Sequence, residues 1–295
     1  MNEFKTYHPL VNFTYFTAVI GFSMVFMHPI CLMISLVTSL AYSIMLGGKK
    51  AIKFNVLYML PLLIISAIIN PAFNHAGVTV ICYLPSGNPL TLESVFYGIC
   101  ASSMLISVIA RFSCFNKIIT SDKLMYLFGS VIPALSLVFS MVLRFVPKFR
   151  AHMKTVSDAQ KCIGRDVSNG SIIRRAKNGI KILSVMITWS LENAVDTADS
   201  MTSRGYGLPN RTAFSNYSFS KRDYILLGII LLLSAYIIVN SILGQMQFEF
   251  FPSVRFNSIT LQSMSVFLAY FILCILPIII EIKEAYKWKL LKSKI

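Results

Sequence analysis

The sequence predicts an all-α integral membrane protein with about six transmembrane helices, a cytoplasmic region of two long amphipathic helices, and an apolar in-plane or re-entrant segment. Three observations predict it. Hydrophobic residues make up 56% of the chain and charged residues only 13%, whereas soluble domains carry about a quarter charged residues. Stretches without Lys, Arg, Asp or Glu run over 6–48, 54–92, 94–110, 124–143, 224–248 and 256–280, and a span needs roughly 20 predominantly apolar residues. The residues from Arg144 to Asp223, by contrast, are polar and basic. No period-two alternation of the kind that marks a barrel repeats along the chain.

The elements follow in chain order. The first apolar stretch is too long for one span, and Met27-His28-Pro29 divides it, because the residue before proline is pushed out of helical conformation. Two helices are expected, near 11–27 and 30–46, with a third near 54–70 ending at Asn70-Pro71. A loop rich in Pro, Gly and Asn covers Asn70 to Pro89 and contains no Lys or Arg. Thr91-Leu92-Glu93 then opens a fourth helix to about Ala110, and two C-terminal spans are expected at 224–244 and 258–280.

Charge sets the topology. Basic residues cluster at Lys49, Lys50 and Lys53, at Arg111, Lys117 and Lys123, between Arg144 and Arg222, and from Lys283 to Lys294, with only Lys5 and Arg255 elsewhere. Cytoplasmic loops collect Lys and Arg, so all four clusters are placed inside and Arg255 outside. A single crossing by 124–143 would put the Arg144–Arg222 cluster outside. That segment is therefore expected to lie along the interface, to pack in the bundle, or to enter and return, with Pro133 as a possible dividing point. The domain organisation is then 1–123 N-terminal transmembrane helices, 124–223 cytoplasmic and interfacial region, and 224–295 C-terminal transmembrane helices with a basic tail.

Several function classes are disfavoured. The net charge of +15 is the sum of inside-facing flanks, without the aromatic-basic interleaving of a nucleic-acid binder, so no nucleic-acid partner is expected. Cys31, Cys82, Cys100, Cys114, Cys162 and Cys274 show no paired spacing for zinc or redox work, and His8, His28, His75 and His152 are scattered. No metal and no cofactor are expected. The predicted spans are uncharged at their centres, unlike ion-coupled carriers, and no phosphate-binding Gly-Lys-Ser/Thr loop or zincin helix is present. Glu3 beside Lys5, with no small-residue cleavage site after the first apolar run, does not read as a removable signal peptide.

The basic region contains two helices. From Phe145 to Ile163, apolar residues at 145, 149, 153, 156, 159 and 163 recur at spacings of three and four, the mark of one buried stripe. The second helix runs from about Ile172 to Ser203. Its stripe is Ile172, Ala176, Ile180, Leu183, Ile187, Leu191, Ala194, Ala198 and Met201, beside an acidic row of Glu192, Asp196 and Asp199 at helical spacing. Asn169-Gly170 is a turn between them, and a crossed or antiparallel pair is expected. Arg204-Gly205 ends the second helix, as a cation at the dipole's negative end and a glycine cap do in many helices, and Pro209 prevents continuation.

One set of residues points further. Asp158-Ala159-Gln160 through Ala198-Asp199-Ser200-Met201-Thr202-Ser203-Arg204-Gly205-Tyr206-Gly207 resembles the coupling region of the transmembrane (T) subunit of energy-coupling factor transporters, the EcfT/CbiQ family. His8-Pro9 with Asn12-Phe13, Thr91-Leu92-Glu93 and Arg144-Phe145-Val146-Pro147 resemble further family positions, so the likeness covers nearly the whole chain. The resemblance implies a multi-pass cell-membrane protein that is not an enzyme. Its partners would be two ATP-binding-cassette ATPases and a small membrane-embedded substrate-binding (S) subunit, serving uptake of a vitamin or transition-metal ion. It implies that two short motifs dock into the ATPases. The second maps onto Ser203, Arg204 and Gly205. The first falls on Cys162, Ile163 and Gly164, where isoleucine stands in the arginine position. Either the neighbouring Arg165 takes over by a shift of register, or this docking contact is apolar and the ATPases are bound unequally. Two rival classes are a stand-alone permease and a membrane enzyme using Glu192, Asp196 and Asp199 as acids.

Overall fold

The computed structural model describes residues 3–83, 89–165, 167–168, 170–206, 208, 217–254 and 260–292. Expectations placed on Asp166, Asn169, Gly207, Pro209, Arg211, Arg255 and Lys294 lie outside these residues. Among the described residues the protein is all-α apart from one small hairpin. Its helices are α1 (Pro9–Val25), α2 (Pro29–Phe54), α3 (Leu60–Phe73), α4 (Leu92–Ile118), α5 (Ser121–Val131), α6 (Pro133–Cys162), α7 (Ile172–Ser203), α8 (Lys221–Ile242) and α9 (Leu261–Lys292). The chain divides into two compact units, one of Met1–Leu124 with Tyr217–Ile295 and the other of Met125–Asn216.

Among the described residues four stretches are long and apolar enough to cross a membrane: Pro29–Phe73, Leu92–Ile118, Lys221–Ile242 and Leu261–Lys292; α1 is a shorter apolar helix. The first of these holds α2, a π turn at Asn55–Met59 and α3, and it is broken at Gly48, whose φ is +54°. The break falls between the two helices expected near 30–46 and 54–70, and the helix resumes directly after it without an intervening loop.

Both His-Pro pairs start helices. His8 and His28 each cap the helix that begins at the following proline, their Nδ1 atoms accepting from Leu10 N and Ile30 N at 3.3 Å. Proline fits there because the first helical N–H has no partner to lose. The loop 74–91 contains the hairpin, β1 (Val80–Tyr83) antiparallel to β2 (Pro89–Thr91), which the sequence reading did not anticipate. It ends at Thr91, whose Oγ1 caps α4 by accepting from Ser94 N. Buried Glu93 folds the loop down by accepting from Thr79 Oγ1 at 2.6 Å and from Thr79 N.

Helix α4 is central in the first unit, packing against α1, α2 and α3, while α9 packs against α2 and α8. Lipid tails are as apolar as leucine, so helices in a bilayer associate through close packing and interhelical hydrogen bonds. Both are present. A Cβ at Gly98 would lie 2.7 Å from Ala67 O, so the α3 and α4 backbones touch. Ser23 of α1 shares hydrogen bonds with Ser35 of α2 at 2.7 Å and Tyr270 of α9 at 3.2 Å. Tyr15 Oη donates to Cys274 O at 3.1 Å.

Arg111 departs from expectation. Read from sequence as part of an inside-facing basic flank, it is instead 1% exposed within α4. Its guanidinium donates to Tyr15 Oη at 3.2 Å and Thr38 Oγ1 at 2.7 Å, tying α4 to α1 and α2. Arginine keeps its charge when buried, and a fork of five donors holds two neighbours at once. Charge counting along the sequence cannot separate such a residue from its solvated neighbours.

Candidate functional site

The second unit carries the motifs singled out in the sequence. Helix α6 runs unbroken from Pro133 to Cys162, so the latter part of the apolar stretch 124–143 forms the beginning of the same helix that carries Arg144 to Lys161. Pro147 lies inside it. Among the described residues, α6 and α7 meet around Trp189. Its ring stacks on His152 at 4.1 Å between centroids and on Phe145 at 5.6 Å, and it is tilted against Phe149 at 6.3 Å. Lys148 Nζ lies 5.5 Å from the Trp189 ring and donates to Asn193 Oδ1 at 2.9 Å. Phe145, Phe149 and His152 follow one another at spacings of four and three, one face of a helix. The meeting point falls near the middle of both helices, and about 20 Å of helix lies beyond it on each.

The two far ends are built alike. At the end of α7, Arg204 is the C-cap and Gly205 takes φ +75°. Gly205 N donates to Thr202 O at 2.9 Å and Tyr206 N to Met201 O at 3.0 Å. At the end of α6, Ile163 is the C-cap and Gly164 takes φ +72°. Gly164 N donates to Lys161 O and Arg165 N to Gln160 O, both at 2.9 Å. Each is a Schellman cap, in which a left-handed residue, easiest for glycine, turns the chain so that two last-turn carbonyls find donors.

This geometry sets a residue-by-residue register. Cys162 corresponds to Ser203, Ile163 to Arg204, Gly164 to Gly205, and Arg165 to Tyr206. Arg204 and Ile163 are both exposed, as are Cys162, Ser203 and Arg165. Ile163 and Arg165 therefore occupy different places in the cap, and the place of Arg204 is taken by Ile163.

Expectation and structure differ on the stripes. The α7 stripe is exposed at Ile172, Ile180, Leu183, Ile187 and Leu191, while Asn178, Ile182 and Met186 form the buried face. On α6, Met153, Ala159 and Ile163 are exposed. Periodicity reports an apolar face but not whether the same chain covers it, so these stripes are surfaces rather than core. Of the acidic row, Glu192 lines a shallow recess with His152, Ser184, Val185, Thr188 and Trp189, and Asp196 and Asp199 are exposed. Trp189 was not singled out in the sequence; its signal was a lone tryptophan in a helix otherwise edged with charge. Among the described residues no group of three or more His, Cys, Asp or Glu side chains converges to hold a metal.

Comparison with known proteins adds a relationship. No family model matches the chain. Curated relatives do: the energy-coupling factor transporter transmembrane protein EcfT of Lactobacillus helveticus is 35% identical over 118 residues, 40% of this chain and 43% of that protein. The EcfT of Bacillus selenitireducens is 32% identical over 111 residues, 37% and 41% of the two chains, and that of Lactococcus lactis subsp. cremoris 32% over 106 residues, 36% and 40%. The matches span about two fifths of the length of these relatives. Their names describe transporter components, not enzymes. By sequence, this chain is a relative of the transmembrane protein EcfT of energy-coupling factor transporters.

Proposed function

We propose that this protein is the energy-coupling subunit of an ECF-type ABC importer in the cell membrane. In this reading it transmits ATP-driven motion of two cytoplasmic ATPases to a membrane-embedded S subunit for uptake of a vitamin or transition-metal ion. The observation that carries it is the pair of matching caps, each about 20 Å of helix from one aromatic meeting point. Two equivalent ends joined at a packed centre suit a device that receives force at two places and delivers it at one. Arg204 presents a planar fork of donors suited to a carboxylate or to backbone carbonyls in a partner groove. Ile163, in the equivalent place, offers an aliphatic contact. The two ATPases are then held by unlike contacts, which suits two different ATPase chains.

Six crossings fit the same reading. Residues 29–73 would extend about 68 Å as one helix, more than twice a bilayer's hydrocarbon core of about 30 Å, so the break at Gly48 separates two spans. With α1, α4, α8 and α9 they number six, and the division into 1–123, 124–223 and 224–295 follows. The exposed stripe of α7 beyond Leu183, at Ile187 and Leu191, would bear on the S subunit.

The test is co-purification from gently solubilised native membranes, wild type beside Arg204→Glu. Two ATP-binding-cassette ATPases and a small hydrophobic protein are expected with the wild type. Reversing the charge should weaken ATPase retention about thirtyfold or more, as for a buried charge pair losing one partner. Recovery of the chain alone in both cases would instead favour a stand-alone permease.

A further inference from the structure

Helix α7 carries its charge in two blocks. Arg174, Arg175, Lys177 and Lys181 lie near its start with no acid before Glu192; Glu192, Asp196 and Asp199 follow with no base before Arg204. The basic block runs beside the most exposed aliphatic residues of the helix, Ile172 at 83%, Ile173 at 82% and Ile180 at 67%, with Leu183 at 55%. At about 100° per residue these four lie to one side, away from buried Asn178, Ile182 and Met186. Lys177, Lys181 and Arg174 border them on one edge, while Arg175 falls on the side of Ile182 and Met186, at the start of the helix. Among the described residues the ion pairs are Asp158 with Lys161 and Glu284 with Lys287, so none engages these four cations; Arg175 Nε donates to the Val167 carbonyl at 2.7 Å.

Bare aliphatic side chains edged by cations are the pattern of a helix lying in the interface of an anionic membrane. An acidic polymer would satisfy the cations and leave the isoleucines in water. An anionic leaflet supplies both surfaces, and it already surrounds a protein with long apolar helices. The acidic second half is repelled by the same surface. We propose that the first half of α7, Ile172–Leu183, is seated in the headgroup region of an anionic leaflet, while the half carrying Glu192, Asp196 and Asp199 is held off it. The rod is thereby anchored at its start and leaves its Arg204 end in water. The proposal concerns this chain and lipid alone, so it stands or falls separately from ATPase docking.

The test uses the full chain in lipid nanodiscs, with the exposed Cys82 and Cys162 changed to serine. Single cysteines at Ile180→Cys and Leu191→Cys are modified with an uncharged water-soluble maleimide, in discs of phosphatidylcholine alone or with phosphatidylglycerol added. Each basic residue near an anionic surface strengthens attachment about fivefold. The cysteine at 180 should therefore react at least about fivefold more slowly in the anionic discs, and the cysteine at 191 at one rate in both. Changing Arg174, Arg175, Lys177 and Lys181 to Gln together should abolish the difference at 180. If that variant aggregates, Lys177→Gln with Lys181→Gln should reduce it. Equal, fast reaction at 180 in both discs overturns the proposal. Equal, slow reaction in both also overturns it, because the cover is then a protein surface indifferent to lipid charge.

Discussion

At the scale of single residues, the matching caps separate two candidates that lie two positions apart in sequence. Ile163 stands where Arg204 stands, and Arg165 where Tyr206 stands. If the first ATPase groove reads the cap position, Ile163→Glu should cost about tenfold or more in retention of one ATPase, as charge placed in an apolar contact does. Arg165→Glu should cost less. Co-purification of each ATPase, quantified separately, distinguishes the two. Both caps depend on glycine for the left-handed turn. Alanine at Gly164 or Gly205 should cost about 1–2 kcal/mol locally and speed hydrogen exchange of the Arg165 or Tyr206 amide by roughly five- to thirtyfold. A Cβ at Gly205 also approaches Leu208 Cδ1 at 2.9 Å, whereas one at Gly164 meets nothing within 4 Å. Because Leu208 is exposed and its methyl can move aside, the two losses should be similar.

At the scale of elements, α6 and α7 are joined through one tryptophan. Trp189→Ala removes the stacking on His152 and Phe145 and the Lys148 contact, a loss of about 1–3 kcal/mol at a partly exposed site. The expected phenotype is specific: ATPases still co-purify, while ATP-driven uptake falls. Loss of both together would mean that the caps depend on the crossing. The bounds of α7 were legible from its periodicity and from Gly205, and the start of α4 from Thr91-Leu92-Glu93, since caps and periods are local chemistry. Which faces are covered was not legible, because Ile172 and Ile182 look the same in sequence and only partners distinguish them. The run of α6 through residues 143–147 was missed for a related reason. A change from apolar to basic composition signals a change of solvent and not an end of helix, and Pro147 was accommodated without a break.

At the scale of the whole molecule, the first unit is held by a polar interior that hydropathy could not reveal. Arg111 was read as a flank because its neighbours Lys117 and Lys123 share its sign, yet it is buried among hydroxyls. Arg111→Ala should destabilise the bundle by about 2–4 kcal/mol through cavity formation and the loss of partners for Tyr15 and Thr38. Thermal unfolding in detergent would register this, with Tyr15→Phe showing a smaller loss of about 1 kcal/mol. Lys123 sets a second constraint, at the junction of the N-terminal segment with α5. Its side chain is buried and its ammonium donates to the Lys5 and Tyr7 carbonyls. Burial, reinforced by the nearby charge of Lys5 and opposed by Asp223, lowers its pKa from 10.5 to about 8. Below pH 8 both the folded and unfolded chains carry the charge, and the folded state bears the whole cost of burying it. Between about 8 and 10.5 the folded state releases its proton while the unfolded state retains it, so the unfolded state binds more protons and stability rises with pH. The detergent-solubilised protein should therefore show a contribution from Lys123 that increases across this window. Lys123→Met, which keeps the aliphatic stem, should remove that increment; equal pH slopes for wild type and variant would show that Lys123 does not titrate there.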